Sequence, residues 1–169
     1  ADITYVNDEL LPKRGIIWNT EFTSLYGLNS KSRNLTKFTS NMQVFAPISE
    51  DAKLYSVTRL GIGHIYSKNP EYFQALDLGA NNFVRGYRKE RFSGTSVVYA
   101  SFELRKRLFV SNSYVLPGDV GLIGFVDGGR VYLSDETYHK WHYAYGGGLY
   151  FTPFNLVLIS ATLGLSQEE

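Results

Sequence analysis

Seven stretches of this chain alternate apolar and polar side chains over about 11–15 residues each, roughly twice the length of an ordinary strand. A period of two puts successive side chains on opposite faces of a sheet. In residues 15–27, Ile16, Trp18, Thr20, Phe22 and Tyr26 share one face, and Asn19, Glu21 and Thr23 the other. Residues 34–46 set Phe38, Met42, Val44 and Ala46 against Lys37, Thr39, Asn41 and Gln43. Residues 53–66 alternate less cleanly, with Leu54, Leu60 and Ile62 reading outward. Residues 95–109 oppose Val98, Ala100, Phe102, Leu104 and Leu108 to Tyr99, Ser101, Glu103, Arg105 and Arg107. Residues 119–132, 139–151 and 155–165 complete the set.

Length separates the fold classes. A tilted membrane-spanning strand needs about 9–11 residues, which these stretches supply. The connections also divide into two alternating kinds. Tight ones are marked by Pro12, Pro47, Pro117 and Pro153, while longer ones span 74–91 and the Tyr138–Trp141 region. Short turns at one rim and long loops at the other is the pattern of an all-β, antiparallel outer-membrane barrel. A soluble sandwich or lipocalin-like barrel would have shorter strands and an inward apolar face. The Tyr and Trp side chains also allow a soluble carbohydrate-binding β-sheet domain.

Composition narrows the partners. Aromatic residues make up 15% and charged residues 20% of the chain, a balance suited to a polar–apolar boundary. A net charge of +1 gives no field for a polyanion, so no nucleic-acid partner is expected. Without cysteine, neither a disulfide framework nor a thiolate metal site can form. No run of 18 apolar residues exists to make a transmembrane helix. The opening ADITYVNDELLPKRG lacks the basic start and apolar core of a signal peptide, so an export address is expected upstream of Ala1.

The loop Gln74–Arg91, QALDLGANNFVRGYRKER, is too long for a hairpin turn and too apolar for a solvated one. Leu76, Leu78, Phe83 and Val84 predict that part of it folds back onto its scaffold, with Arg85 at the tip. Glu103 and Asp127 lie mid-strand on inward faces of consecutive strands, where a guanidinium fork could bind both. Gly86 and Gly129 would permit close backbone approach. Alternation alone equally allows separate solvated charges in a water-filled lumen.

Val84-Arg85-Gly86-Tyr87 in a long loop, followed by SFELRKRLF and then Phe125-Val-Asp127-Gly-Gly129-Arg-Val-Tyr, resembles the bacterial surface antigen superfamily of outer-membrane barrels, the BamA-, TamA- and FhaC-like proteins. YGGGLYFTPFNLVLISATLGLSQEE is similar to the family's last hairpin, and LLPKRGIIW to its strand-opening Pro-x-x-Gly, so the likeness covers nearly the whole chain. The resemblance implies that Arg85 reaches inside the barrel and bonds Asp127 and Glu103, with the long loop extracellular and the Pro-marked turns periplasmic. It also implies a barrel that moves polypeptide into or across the outer membrane without a cofactor, able to open laterally at its first–last strand seam. The implied partners are outer-membrane lipid and lipopolysaccharide, client or passenger polypeptides and accessory lipoproteins. Relatives of this kind can instead carry an amino-terminal patatin-like or phosphatase-like enzyme, which the barrel would anchor or export.

The family's barrel resembles sixteen strands and ends on an aromatic residue after a Ser-x-Glu-Glu loop, whereas this sequence shows seven strands and stops at Glu169. Seven strands leave two edges that lipid cannot satisfy. Closure with eight would leave no room for the inserted loop. Residues 1–169 are therefore expected to be the carboxy-terminal part of a larger barrel, incomplete at both ends, closed by the remaining half or by another chain.

Other features carry no chemistry. His139 and His142 flank Trp141, but His-x-x-His on a strand projects to opposite faces, which favours an interfacial aromatic cluster over a metal. Gly146-Gly147-Gly148 has no helix after it to bind phosphate and marks a bend or a closely packed surface. Arg88, Lys89 and Arg91 read as a solvated loop edge more readily than as a lipopolysaccharide contact. No catalytic frame appears, and no enzyme activity is expected.

Overall fold

The structure is a computed structural model of the chain, describing residues 1–28, 34–67, 75–78, 84–88, 92–132 and 140–166. Ten strands run in chain order: β1 Asp2–Val6, β2 Gly15–Leu25, β3 Leu35–Pro47, β4 Leu54–Ile65, β5 Leu76–Leu78, β6 Phe92–Gly94, β7 Ser96–Ser111, β8 Gly118–Tyr132, β9 His142–Pro153 and β10 Ile159–Ser166. Eight of them form one antiparallel sheet ordered β1-β2-β3-β4-β7-β8-β9-β10, open at β1 and β10. β5 and β6 pair with each other, between β4 and β7 in the chain. The fold is all-β and fits a partial barrel wall. No helix occurs among the described residues.

The sheet has eight strands where alternation gives seven. The addition is β1, whose five residues pair with β2 and show no contrast between faces, since four of the five are exposed. β9 begins at His142 rather than His139, and β10 at Ile159 rather than Asn155. Phe154 and Asn155 form the turn instead, with φ of 54° and 52°.

The six strands from β2 to β9 in the sheet are 11–16 residues long. On β7, Val97, Tyr99, Ser101, Glu103 and Arg105 are buried, while Ala100, Phe102, Leu104 and Lys106 between them are exposed. β8 repeats the pattern, burying Ile123, Phe125 and Asp127 and exposing Leu122, Gly124 and Val126. Trp18, Phe22, Leu60, Ile62, Phe102, Leu122, Tyr143, Leu149 and Leu163 extend the apolar outer surface across the sheet. So large an unpartnered apolar face is untenable in water and natural in lipid. β4 looks irregular in sequence because its inner face is itself apolar, with Tyr55, Val57 and Ile65 buried.

One rim collects the Pro-marked connections 7–14, 48–53, 112–117 and 154–158. In the 48–53 turn, Asp51 accepts from Ser49 Oγ and the Lys53 amide and pairs with Lys53 Nζ at 2.7 Å. The hydrogen bonds from Lys53 hold the exposed Asp51 carboxyl well below the usual carboxylate range. The opposite rim carries the connection between β4 and β7 that contains β5, Val84–Arg88 and β6.

Two apolar clusters divide the inner face. One joins Leu35, Ile65, Leu76, Leu78, Val84, Tyr87, Val97, Tyr99 and Ala144, and thus ties the loop to the wall. The other, nearer the Pro-marked rim, holds Leu11, Phe45, Tyr55, Val57, Ile123, Phe125 and Tyr150. The charged groups lie between them.

Candidate functional site

The site begins with backbone room. A Cβ on Gly129 would meet Leu78 at 2.8 Å and Val84 at 3.0 Å, so a side chain there would displace the loop residues resting on β8. Gly63 plays the same part for Leu76, at 2.9 Å. Gly86 has a φ of 93°, open to glycine and strained for other residues. Its backbone rests against Gly164 of β10, where a Cβ would lie 2.9 Å from the Gly86 nitrogen. Val84 and Leu78 are completely buried by this docking.

Between these apolar contacts, Arg85 points onto β7 and β8. Its backbone N–H and Nε both donate to Asp127 Oδ2, at 3.0 and 2.9 Å, and Nη2 donates to Oδ1 at 2.8 Å. Nη1 donates to Glu103 Oε2 at 2.5 Å, and Nη2 also reaches Ser101 Oγ at 3.2 Å. The guanidinium carbon sits 3.6 Å from the centre of the Phe125 ring. One planar group is thus held by a bidentate carboxylate, a second carboxylate, a hydroxyl and an aromatic face.

The register explains the convergence. Ser101 opposes Asp127, and Glu103 opposes Phe125. The two carboxylates are therefore diagonal neighbours on one face rather than directly opposed. Both are sealed from solvent, at 1% exposure for Glu103 and 0% for Asp127. A buried carboxylate without its cation is costly, so the geometry makes the wall depend on the loop.

The two carboxylates are not equivalent. Among the described residues, Asp127 takes its hydrogen bonds from Arg85 alone. Glu103 is shared: Arg105 donates Nε to Oε1, and Arg59 of β4 approaches Oε2 at 3.5 Å. Arg59 also approaches Gln43 Oε1 at 3.5 Å. Sequence reasoning missed Arg59, Ser101 and Arg105 as members of this site. Ser101 and Arg105 share the inward face with Glu103, which was the available signal. Arg59 lies on the strand with the least legible pattern.

Tyr87 completes the seat. Its hydroxyl donates to the Tyr143 carbonyl at 3.1 Å, and its ring meets Phe92 and His142 edge-on. His142 stacks on Phe92 at 3.6 Å, inside the wall, whereas Trp141 stacks with Tyr143 on the outside. The expected aromatic cluster is therefore split between the two faces. Gly146 is closely packed, since a Cβ there would come within 2.7 Å of the Phe125 ring. Arg88 is exposed. Gly79, Asn81, Asn82, Phe83, Lys89, Arg91 and His139 lie outside the described residues.

Residues 3–164 match the family model described as the Omp85 superfamily domain. The chain belongs to the Omp85 superfamily. No curated protein and no solved structure matches the chain. Omp85 proteins are bacterial outer-membrane proteins, generally non-enzymatic, with functions of the protein-insertion or translocation type. The exposed apolar face fits a family of outer-membrane proteins. The Arg85 seat lies on the face of the sheet opposite those apolar side chains.

Proposed function

We propose that residues 1–169 form the carboxy-terminal part of the barrel wall of an outer-membrane factor that inserts or translocates polypeptide, and that Arg85 locks the 74–91 loop onto that wall. The observation that carries this reading is the seating of Arg85 on two sealed carboxylates, Asp127 and Glu103. A loop fixed across the inner face holds the wall in one shape and occupies the path a client would take. β1 and β10 present unpaired backbone that lipid cannot satisfy, which favours closure by further strands of a larger barrel. The partners are client polypeptides on the inside, and lipid and lipopolysaccharide on the outside.

Arg85→Ala tests the lock. The full protein reconstituted in lipid should keep its strand content, expose the loop to protease and lose insertion or translocation of a model outer-membrane client. Arg85→Lys, which keeps the charge and loses the fork, should restore only part of the protection. A loop as protease-resistant as wild type together with unchanged client handling would overturn the proposal.

A further inference from the structure

The outward face of β7 and β8 carries two charged side chains, Lys106 near the Pro-marked rim and Arg130 near the opposite one. Arg130 keeps the outward parity of Leu122 and Val126, while Val131 beside it packs inward against the loop. Lys106 opposes Leu122, and Arg130 lies eight residues further along β8. At about 3.4 Å per residue and a tilt of about 35–45°, that spacing is about 20 Å along the membrane normal, comparable with the apolar band of an outer-membrane barrel, about 25 Å tall. The two cations thus bracket the span at its two interfaces.

Barrels of this kind keep short turns periplasmic and longer loops extracellular, which puts Arg130 at the outer leaflet. Tyr66, Tyr132, Trp141 and Tyr143 are exposed around the same rim, as aromatic side chains are at a membrane interface. Arg130 is half-buried, with its guanidinium carbon 4.4 Å from the centre of the Tyr132 ring. Its Nε is sealed without a partner, so the Nη groups are the donors left to an outside ligand. No carboxylate stands on the outward face of β7 or β8. On the inner face, by contrast, Arg59, Arg85, Arg105 and Arg107 each meet one.

The surface leading from Arg130 toward the middle of the span is low. A Cβ on Gly124 would meet nothing within 4 Å, and one on Gly128 would meet only the Tyr143 ring, at 3.2 Å. A headgroup held at Arg130 therefore has room for its acyl chains to run down β8.

We propose that Arg130 binds a phosphate of lipid A, the phosphoglycolipid of the outer leaflet, with acyl chains lying over Gly128, Val126 and Gly124. A guanidinium matches a phosphate with two parallel N–H donors, and the apolar surroundings strengthen the pair. The level of Arg130 in the membrane selects this lipid over the glycerophospholipids of the inner leaflet. The proposal rests on the outer-membrane setting above and is independent of the Arg85 lock.

The test is native mass spectrometry of the full protein in detergent, with diphosphoryl lipid A or phosphatidylglycerol added at equal concentration. Wild type should retain one lipid A at least fivefold more often than one phosphatidylglycerol. Arg130→Gln should remove that preference, and Lys106→Gln, at the opposite interface, should keep it. A loop as protease-resistant as wild type certifies the fold of each variant and keeps this test separate from that of the lock. Equal retention of the two lipids by wild type would overturn the proposal, and so would a preference that survives Arg130→Gln or is lost equally in Lys106→Gln. Should Arg130→Gln fail to fold, dephosphorylated lipid A decides on the wild-type protein. Retention at the phosphatidylglycerol level supports the site, and retention equal to that of diphosphoryl lipid A refutes it.

Discussion

The inner face of this sheet comes in two halves that the sequence pattern treats alike and the loop makes different. On β2 and β3 the inward residues are polar and open: Asn19 and Glu21 are exposed, and Lys37, Thr39 and Asn41 are half-buried. Their bonds are scattered single contacts, such as Thr23 Oγ1 to Glu21 and Tyr99 Oη to Asn41 Oδ1, each at 2.7 Å. On β7 and β8 the inward residues are no less polar, yet Ser101, Glu103, Arg105 and Asp127 are buried. The covering loop turns solvated charges into a packed ionic cluster. The lesson is that inward polarity is a property of the strand, whereas burial and its energetic consequences are a property of what lies across it.

The comparison can be broken most sharply at Asp127. Asp127→Ala strands the Arg85 guanidinium against the wall and should cost about 3–5 kcal/mol in urea unfolding from detergent, as should Arg85→Ala, which strands the carboxylate. A loss below about 1 kcal/mol in both would mean that the covered half is energetically no different from the open one.

A smaller effect should follow from filling the space that lets the loop approach. Gly129→Val places side-chain atoms where Leu78 and Val84 now lie, so a loss of about 1–3 kcal/mol is expected. The loop should become protease-sensitive while Arg85, Asp127 and Glu103 are all still present. The smallest effect belongs to the open half. Glu21→Gln should change stability by no more than about 0.5 kcal/mol, because the side chain is exposed and has no cation partner among the described residues.

The sheet was largely legible because a two-residue period survives over long strands. Glu103 and Asp127 could be assigned inward from that period, and Leu76 and Leu78 marked the loop as one that folds back. What the period cannot convey is who meets whom across the wall. Arg105 carries the same inward signal as Lys37, and only register and the loop distinguish the two. Tyr150 lies over β8 only because Gly121 opposite it is bare, a relation between strands that no single strand's pattern carries. β1 escaped because a short edge strand with both faces exposed has no apolar contrast to read.

The most direct measurement of the central claim is amide hydrogen exchange of Leu76–Leu78 and Phe92–Gly94 in wild type and Arg85→Ala. If Arg85 seats the loop, these amides should exchange at least tenfold faster in the variant, while those of β2 and β3 keep their wild-type rates. Unchanged protection in β5 and β6 would contradict the account, leaving apolar packing alone to hold the loop to the wall.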